Sequence, residues 1–317
     1  MPLDPQVVAY LSAASVAADA STDLVLTLAE QRRASVRSAL DEAGQPEQVA
    51  ALEDRLLPGP AGDLPVRIYT PIGAEAALLP VLVYFHAGGW VLGSIEGHDP
   101  VCRALANRAA CLVVSVEYRL APEHPFPAAP EDCYTATCWV AQHAGEINAD
   151  PTRIAVGGDS SGGNLAAAVA LMARDRGGPH LCQQVLIYGE TDYYEPGTAS
   201  YTTYAQGYGL TRADMLWFWD QYLSRPEDRS HPYAAPLRAS DLTGLPPALI
   251  ITAEYDPVRD EGEHYARRLQ EAGVPTQLSR YNGMLHGFFR MFSVFERSHE
   301  ALAEIATTLS LAFARAS

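Results

Sequence analysis

The 317-residue chain is 48% hydrophobic and 19% charged, enough to bury a full core as one large α/β domain or two small ones. Its 38 acidic residues outnumber 22 lysines and arginines for a net charge of −16, a surface that repels polyphosphates and anionic membranes and so disfavours nucleic acid and lipid headgroups as partners. No apolar run reaches the roughly 18 residues that a spanning helix needs, and the stretch from Met1 to Glu30 has no lysine or arginine, so it lacks the basic start of a secretory signal.

Residues 1–45 read as helical, with an apolar face through Val7, Val8, Leu11, Val16, Leu24, Leu26, Leu28 and Val36. Asp41-Glu42-Ala43-Gly44-Gln45-Pro46 breaks that pattern, and two partly alternating strands follow at 49–56 and 64–69, paired antiparallel at a sheet edge. The continuous apolar run at 80–85 predicts a strand buried on both faces, ending in His86-Ala87-Gly88-Gly89-Trp90. A helix at 99–109, a strand at 112–116, the loop Tyr118-Arg119-Leu120-Ala121-Pro122-Glu123 and a helix at 128–143 come next. Then follow a strand at 153–157, a small-residue helix at 164–174 and a strand at 185–188. Strand alternating with helix predicts a parallel, doubly wound sheet whose ligands bind at the carboxyl ends of the strands.

That rhythm breaks after Tyr188. Eight of the sixteen tyrosines fall between Tyr188 and Tyr233, together with Trp217, Phe218 and Trp219, and predict a helical insert. Most of these rings form the insert's own core, while some, with the N-terminal helices, line an apolar pocket over the strand ends. Order resumes with a strand at 248–253, a helix at 261–272, a strand at 276–281, a loop at 282–287 and a last helix at 294–314. The five cysteines, Cys102, Cys111, Cys133, Cys138 and Cys182, form no C-x-x-C pair and read as reduced core residues of a cytosolic protein.

Ser160 stands between strand and helix in Gly158-Asp159-Ser160-Ser161-Gly162-Gly163. A serine in so tight a turn holds its hydroxyl away from the backbone, within reach of a substrate, which makes it the candidate nucleophile. Gly158 and Gly162 leave room where strand and helix almost touch. A bare G-x-S-x-G is a weak signal; the strand before it, the helix after it and the Gly177-Gly178-Pro179 stop make it specific. Such a turn can also cradle phosphate, but no Gly-Lys-Ser or Gly-Lys-Thr follows and no G-x-G-x-x-G is present.

A serine hydroxyl needs a base, and the base needs a third group to fix its tautomer, in the chain order Ser, acid, His. Of the histidines after Ser160, His264 and His299 fall in helices and His180 and His231 lie away from strand ends. His286 occupies a short loop after a core strand, with Gly287 behind it, and is the expected base. Asp256, just past a strand and held by Pro257, is the expected acid. Its rivals are Glu254, Asp260, Glu190 and Asp192; Asp260 reads better as the N-cap of the following helix. Charge developing on an attacked carbonyl needs preorganised N–H donors, for which Gly88, Gly89 and the amide of Ser161 are placed. His86 reads as a brace for its loop.

On these blocks, and on Asp256-Pro257-Val258-Arg259-Asp260-Glu261-Gly262 and His286-Gly287-Phe288, the chain resembles the hormone-sensitive-lipase-like branch of the α/β-hydrolases, the bacterial family IV esterases. The resemblance implies an α/β-hydrolase fold with a mostly parallel, doubly wound eight-stranded sheet and a helical cap. It also implies a carboxylic ester hydrolase that favours short to medium acyl chains and uses no cofactor or metal. Two residues depart from the family pattern: Ala87 replaces the first glycine of His-Gly-Gly-Gly, and Ser161 replaces the usual alanine. The later glycines remain and the Ser161 donor is a backbone amide, so only the shape of the loop at Ala87 is affected.

The expected division is 1–45 as N-terminal helices of the cap, 46–188 and 241–317 as the two parts of the core, and 189–240 as the cap insert. A ligand-binding protein on the same fold, like the plant gibberellin receptors that lack the catalytic histidine, is the alternative; the full Ser, Asp, His set argues against it. Amide or lactone hydrolysis uses the same triad. A lipase acting at oil interfaces is disfavoured, because no separate amphipathic helix has a basic face. The expected partner is a small ester, in a monomer or a homodimer, with the strand at 276–281 as an edge available for pairing.

Overall fold

The computed structural model describes residues 2–20, 26–74 and 78–316. Helices α1 (Pro5–Ala20) and α2 (Leu28–Ala43) precede the hairpin of β1 (Ala51–Gly59) and β2 (Gly62–Thr70). Then β3 (Leu79–Phe85), α3 (Ile95–Ala109), β4 (Leu112–Val116), α4 (Ala128–Gln142), β5 (Ala149–Asp159), α5 (Ser161–Arg176) and β6 (Gln183–Ile187) alternate. The segment after β6 carries α6 (Ala199–Thr203) and α7 (Arg212–Tyr222), and is followed by β7 (Ala248–Tyr255), α8 (Arg259–Glu271), β8 (Thr276–Leu285) and α9 (Glu296–Arg315). Among the described residues, no helix is long and apolar enough to cross a membrane.

The strands form one sheet in the order β1-β2-β4-β3-β5-β6-β7-β8. It is antiparallel at β1/β2 and β2/β4 and parallel elsewhere. Strands β3, β4 and β6 are buried along nearly their whole length because both faces of the sheet are covered. Val81, Val83 and Phe85 of β3 face a layer that includes Cys133 of α4, Leu165 and Val169 of α5 and Tyr265 of α8. Leu82 and Tyr84 face the opposite layer, with Leu105 of α3 and Leu302 and Leu309 of α9. Because β3 and β5 to β8 run parallel, the residues that follow them gather along one edge of the sheet.

Several boundaries differ from those expected. The hairpin runs to Gly59 opposite Gly62, so its strands are longer than 49–56 and 64–69. The third helix starts at Ile95 and not at Asp99, because the Ser94 side chain caps it by accepting from the amide of Gly97. The strand before Ser160 begins at Ala149, four residues ahead of the apolar run that betrayed it. The last strand continues through Asn282 to Leu285, so only His286 and Gly287 remain as the turn. At the N-terminus, Val7 is buried but Val8 and Leu26 are exposed, and Leu24 lies outside the described residues, as does the side chain of Val16. Cys102, Cys111 and Cys133 are buried as expected, whereas Cys138 and Cys182 are only half-buried.

Candidate active site

Ser160 follows the last residue of β5 and precedes the first of α5, with φ 54° and ψ −126°, a conformation that a side-chain-bearing residue adopts only under constraint. The constraint is close packing. A Cβ on Gly162 would lie 1.9 Å from the carbonyl oxygen of Phe85, and one on Gly158 would lie 2.4 Å from the same atom. Only glycine at both positions lets the elbow press against the end of β3.

His286, just past β8, brings Nε2 to 2.9 Å from Ser160 Oγ and Nδ1 to 2.8 Å from Asp256 Oδ2. Asp256 is fully buried past the end of β7, and its other oxygen accepts from the amide of Val258 at 3.0 Å. With Nδ1–H donated to this carboxylate, the lone pair of Nε2 faces the serine. Burial works against charge on the imidazole. The Asp256 carboxylate outweighs it through charge and hydrogen bond, with help from Glu190 and Asp159, and the pKa of His286 is raised.

Of the rival acids, Glu254 accepts from the amide of Gly283, and Asp192 pairs with Arg238. Asp260 corrects a sequence expectation. It is not the N-cap of α8; that residue is Val258, which makes no side-chain cap bond, and Asp260 pairs with Arg259 and accepts from the amide of Ser200. Glu190 is a different case: its Oε1 accepts from Ser160 Oγ at 2.9 Å.

Gly88 and Gly89 line the same cavity as Ser160 and His286, both at positive φ, 132° and 58°. A Cβ on Gly88 would meet the Leu92 carbonyl at 2.2 Å, and one on Gly89 the Phe218 ring at 2.3 Å. The amide of Ser161 opens α5, where no carbonyl of the helix can accept it. Ala87 also lines the cavity, and its amide bonds to Nε2 of His98 at 3.2 Å. His86 is buried, bonds through Nδ1 to the Ala87 carbonyl at 2.9 Å and stacks on Tyr118 at 4.2 Å. Burial pushes its pKa down to about 3, so the ring is neutral and donates that bond.

The sequence reading passed over Asp159, the residue before the nucleophile. Its buried carboxylate accepts from Tyr84 Oη at 2.7 Å and lies 3.5 Å from His98 Nε2. The signal was an acid at the end of a strand buried on both faces, where a charge must find partners.

The cavity has a volume of about 400 Å³. Val36 and Ala39 of α2 and Leu210 and Phe218 of the segment after β6 form part of its wall, and Tyr10, Glu42 and Arg290 form a polar side. Tyr10 Oη donates to Glu42 at 2.9 Å, and Arg290 pairs with Glu42 at 3.0 Å. Most insert rings do not reach the cavity. Tyr222 stacks on Trp90 at 4.3 Å and Trp219 packs on it at 4.5 Å, so these rings dock the insert on the core.

The profile of a family described as alpha/beta hydrolase fold matches residues 82–290. The chain is 43% identical over 283 residues to the carboxylic ester hydrolase LipN of Mycobacterium tuberculosis, covering 87% of this chain and 74% of that protein. The solved structure of an ester hydrolase from the metagenome of Lake Arreo superposes with a TM-score of 0.95 at 41% identity, covering 98% of this chain and 99% of that one. The hyperthermophilic esterase of Pyrobaculum calidifontis gives a TM-score of 0.90 at 45% identity, with the same coverage.

Proposed function

The chain belongs to the alpha/beta hydrolase fold family and, within it, to the hormone-sensitive-lipase-like carboxylesterases, and from that premise we propose that it cleaves esters of short to medium acyl chains through a serine acyl-enzyme. His286 takes the proton of Ser160 as Oγ attacks the ester carbonyl carbon. The amides of Gly88, Gly89 and Ser161 receive the oxyanion, and Asp256 orients and stabilises the imidazolium. The tetrahedral species collapses, and the alcohol leaves with the proton held on His286. Water, deprotonated by His286, then attacks the acyl carbon and Ser160 departs with that proton.

One observation supports this reading above the others: the relay from Asp256 through His286 to Ser160, with bonds of 2.8 and 2.9 Å, opens into a cavity of about 400 Å³. A space of that size accommodates small acyl and alcohol groups. In this proposal residues 1–45 and 189–240 act as a cap over a core formed by 46–188 and 241–317. The substrate is a small ester and not a polyanion, in keeping with the net charge of −16.

The test is hydrolysis of p-nitrophenyl acetate, butyrate, octanoate and palmitate. Rates should peak at the short to medium esters; a peak at palmitate contradicts the chain-length proposal. The pH profile adds a second check. A general base must be neutral, and His286 is held protonated to higher pH than an ordinary imidazole. Accordingly kcat/KM should fall as pH drops through a midpoint above 6.5, and a midpoint below that value contradicts His286 as the base.

A further inference from the structure

Ser160 has two partners and one proton. Its Oγ lies 2.9 Å from Nε2 of His286 and 2.9 Å from Oε1 of Glu190, and it can donate to only one of them. Glu190 sits just past the end of β6, 1% exposed and outside the cavity wall, so it reaches the nucleophile from behind. Its Oε2 is buried without a hydrogen-bond partner among the described residues. An ionised carboxylate in that setting is costly, and the cost falls when it takes up a proton.

Burial, and not the charged surroundings, favours that proton. Around Glu190 stand His286 past β8, Asp256 past β7, the buried Glu261 of α8, Tyr201 of α6 and Asp192 on its own turn. His286 favours charge on Glu190 and Asp256 opposes it. Burial, the largest influence, pushes its pKa up to about 7.

The consequence appears once Ser160 carries an acyl group. Oγ then has no proton to give, and an ionised Glu190 leaves two acceptors about 2.9 Å apart with nothing between them. A protonated Glu190 donates to Oγ instead. Resting on the reading of Ser160 as the nucleophile, we infer that Glu190 is a further catalytic residue, which donates a hydrogen bond from its neutral carboxyl to Ser160 Oγ while the acyl group is released. In that step the water oxygen bonds to the acyl carbon and the C–Oγ bond breaks. His286 moves the water proton to Oγ, and Glu190 keeps its own proton.

The experiment is the pH dependence of kcat with p-nitrophenyl acetate, under conditions where a p-nitrophenolate burst shows deacylation to be limiting, for wild type, Glu190→Gln and Ser160→Ala. A glutamine amide donates at every pH. Wild-type kcat should rise as His286 loses its proton, then fall by about tenfold per pH unit above the ionisation of Glu190, while Glu190→Gln shows no alkaline fall. A wild-type kcat that stays flat to about pH 9 overturns the inference whether or not the variant folds, and so does the same fall in both proteins. An undiminished rate in Ser160→Ala removes the nucleophile reading and this inference with it. A Ser160-dependent rate with a flat alkaline profile removes this inference alone.

Discussion

Ser160→Ala and His286→Ala should each lower kcat by at least about a thousandfold on p-nitrophenyl butyrate, with the fold intact. The size follows from the division of labour in the site. Alanine at 160 removes the atom that forms the acyl-enzyme, so the remaining route is attack by water on an ester held near the amides of Gly88, Gly89 and Ser161. Alanine at 286 removes the imidazole 2.9 Å from Ser160 Oγ that takes the hydroxyl proton and returns it to the leaving alcohol. The two losses should be strongly non-additive, because each removes the same covalent route. A double variant no slower than either single one fits the account. Two losses that multiply indicate that the residues act separately. The Ser160→Ala protein should melt near wild type, because that hydroxyl faces the cavity, whereas His286→Ala should melt lower, because it takes the imidazole from the buried Asp256 carboxylate.

Gly162→Ala should be among the most damaging single methyls at the described positions. Its Cβ would lie 1.9 Å from the carbonyl oxygen of Phe85 and 2.6 Å from its carbonyl carbon, and these are backbone atoms of the central strand β3, which cannot rotate away as a side chain does. Helix α5 must move off the sheet, at a cost of about 3 kcal/mol or more. The same motion separates Ser160 from the amides at Gly88 and Gly89, and a misplacement of about 1 Å costs on the order of a hundredfold in kcat. The control is Gly145→Ala, where an added Cβ meets nothing within 4 Å and both properties should stay near wild type. Thermal melts and kcat for the two variants decide the matter. A Gly162→Ala protein with unchanged melting and turnover contradicts the packing argument.

The sequence disclosed Ser160 and Asp256 because each followed an apolar strand, and in this topology such strands end along one line. His286, which follows the mixed strand β8, was found from the chain order and its short loop before Gly287. Side-chain contacts between segments were hidden, because hydrophobic pattern reports that a position is buried and not what it touches. Glu190 could be ranked as a rival acid from its place after a strand, yet its contact with Ser160 depends on how the turn after β6 folds back over α5. There Asn164 Nδ2 donates to the Glu190 carbonyl at 2.7 Å and Glu261 accepts from the amide of Thr191 at 2.9 Å. Asp260 was misread because an acid before a helix resembles a cap, and the true start of α8 lies earlier. Of the aromatic insert, Phe218 lines the cavity as expected of some of its rings, whereas others expected to form the insert's own core pack on the body of the protein. Tyr222 stacks and Trp219 packs at a tilt on Trp90, and composition alone does not distinguish a ring that lines a cavity from one that docks a segment.

The most direct test of the account is to identify the atom that becomes covalently modified. The protein would be treated with diethyl p-nitrophenyl phosphate, the released p-nitrophenolate counted, and the modified peptide mapped by mass spectrometry. The account predicts one equivalent released per chain, a diethylphosphoryl group on Ser160, and no reaction in Ser160→Ala. Release without modification of Ser160, or a label on another residue at equal rate in the alanine variant, would contradict it.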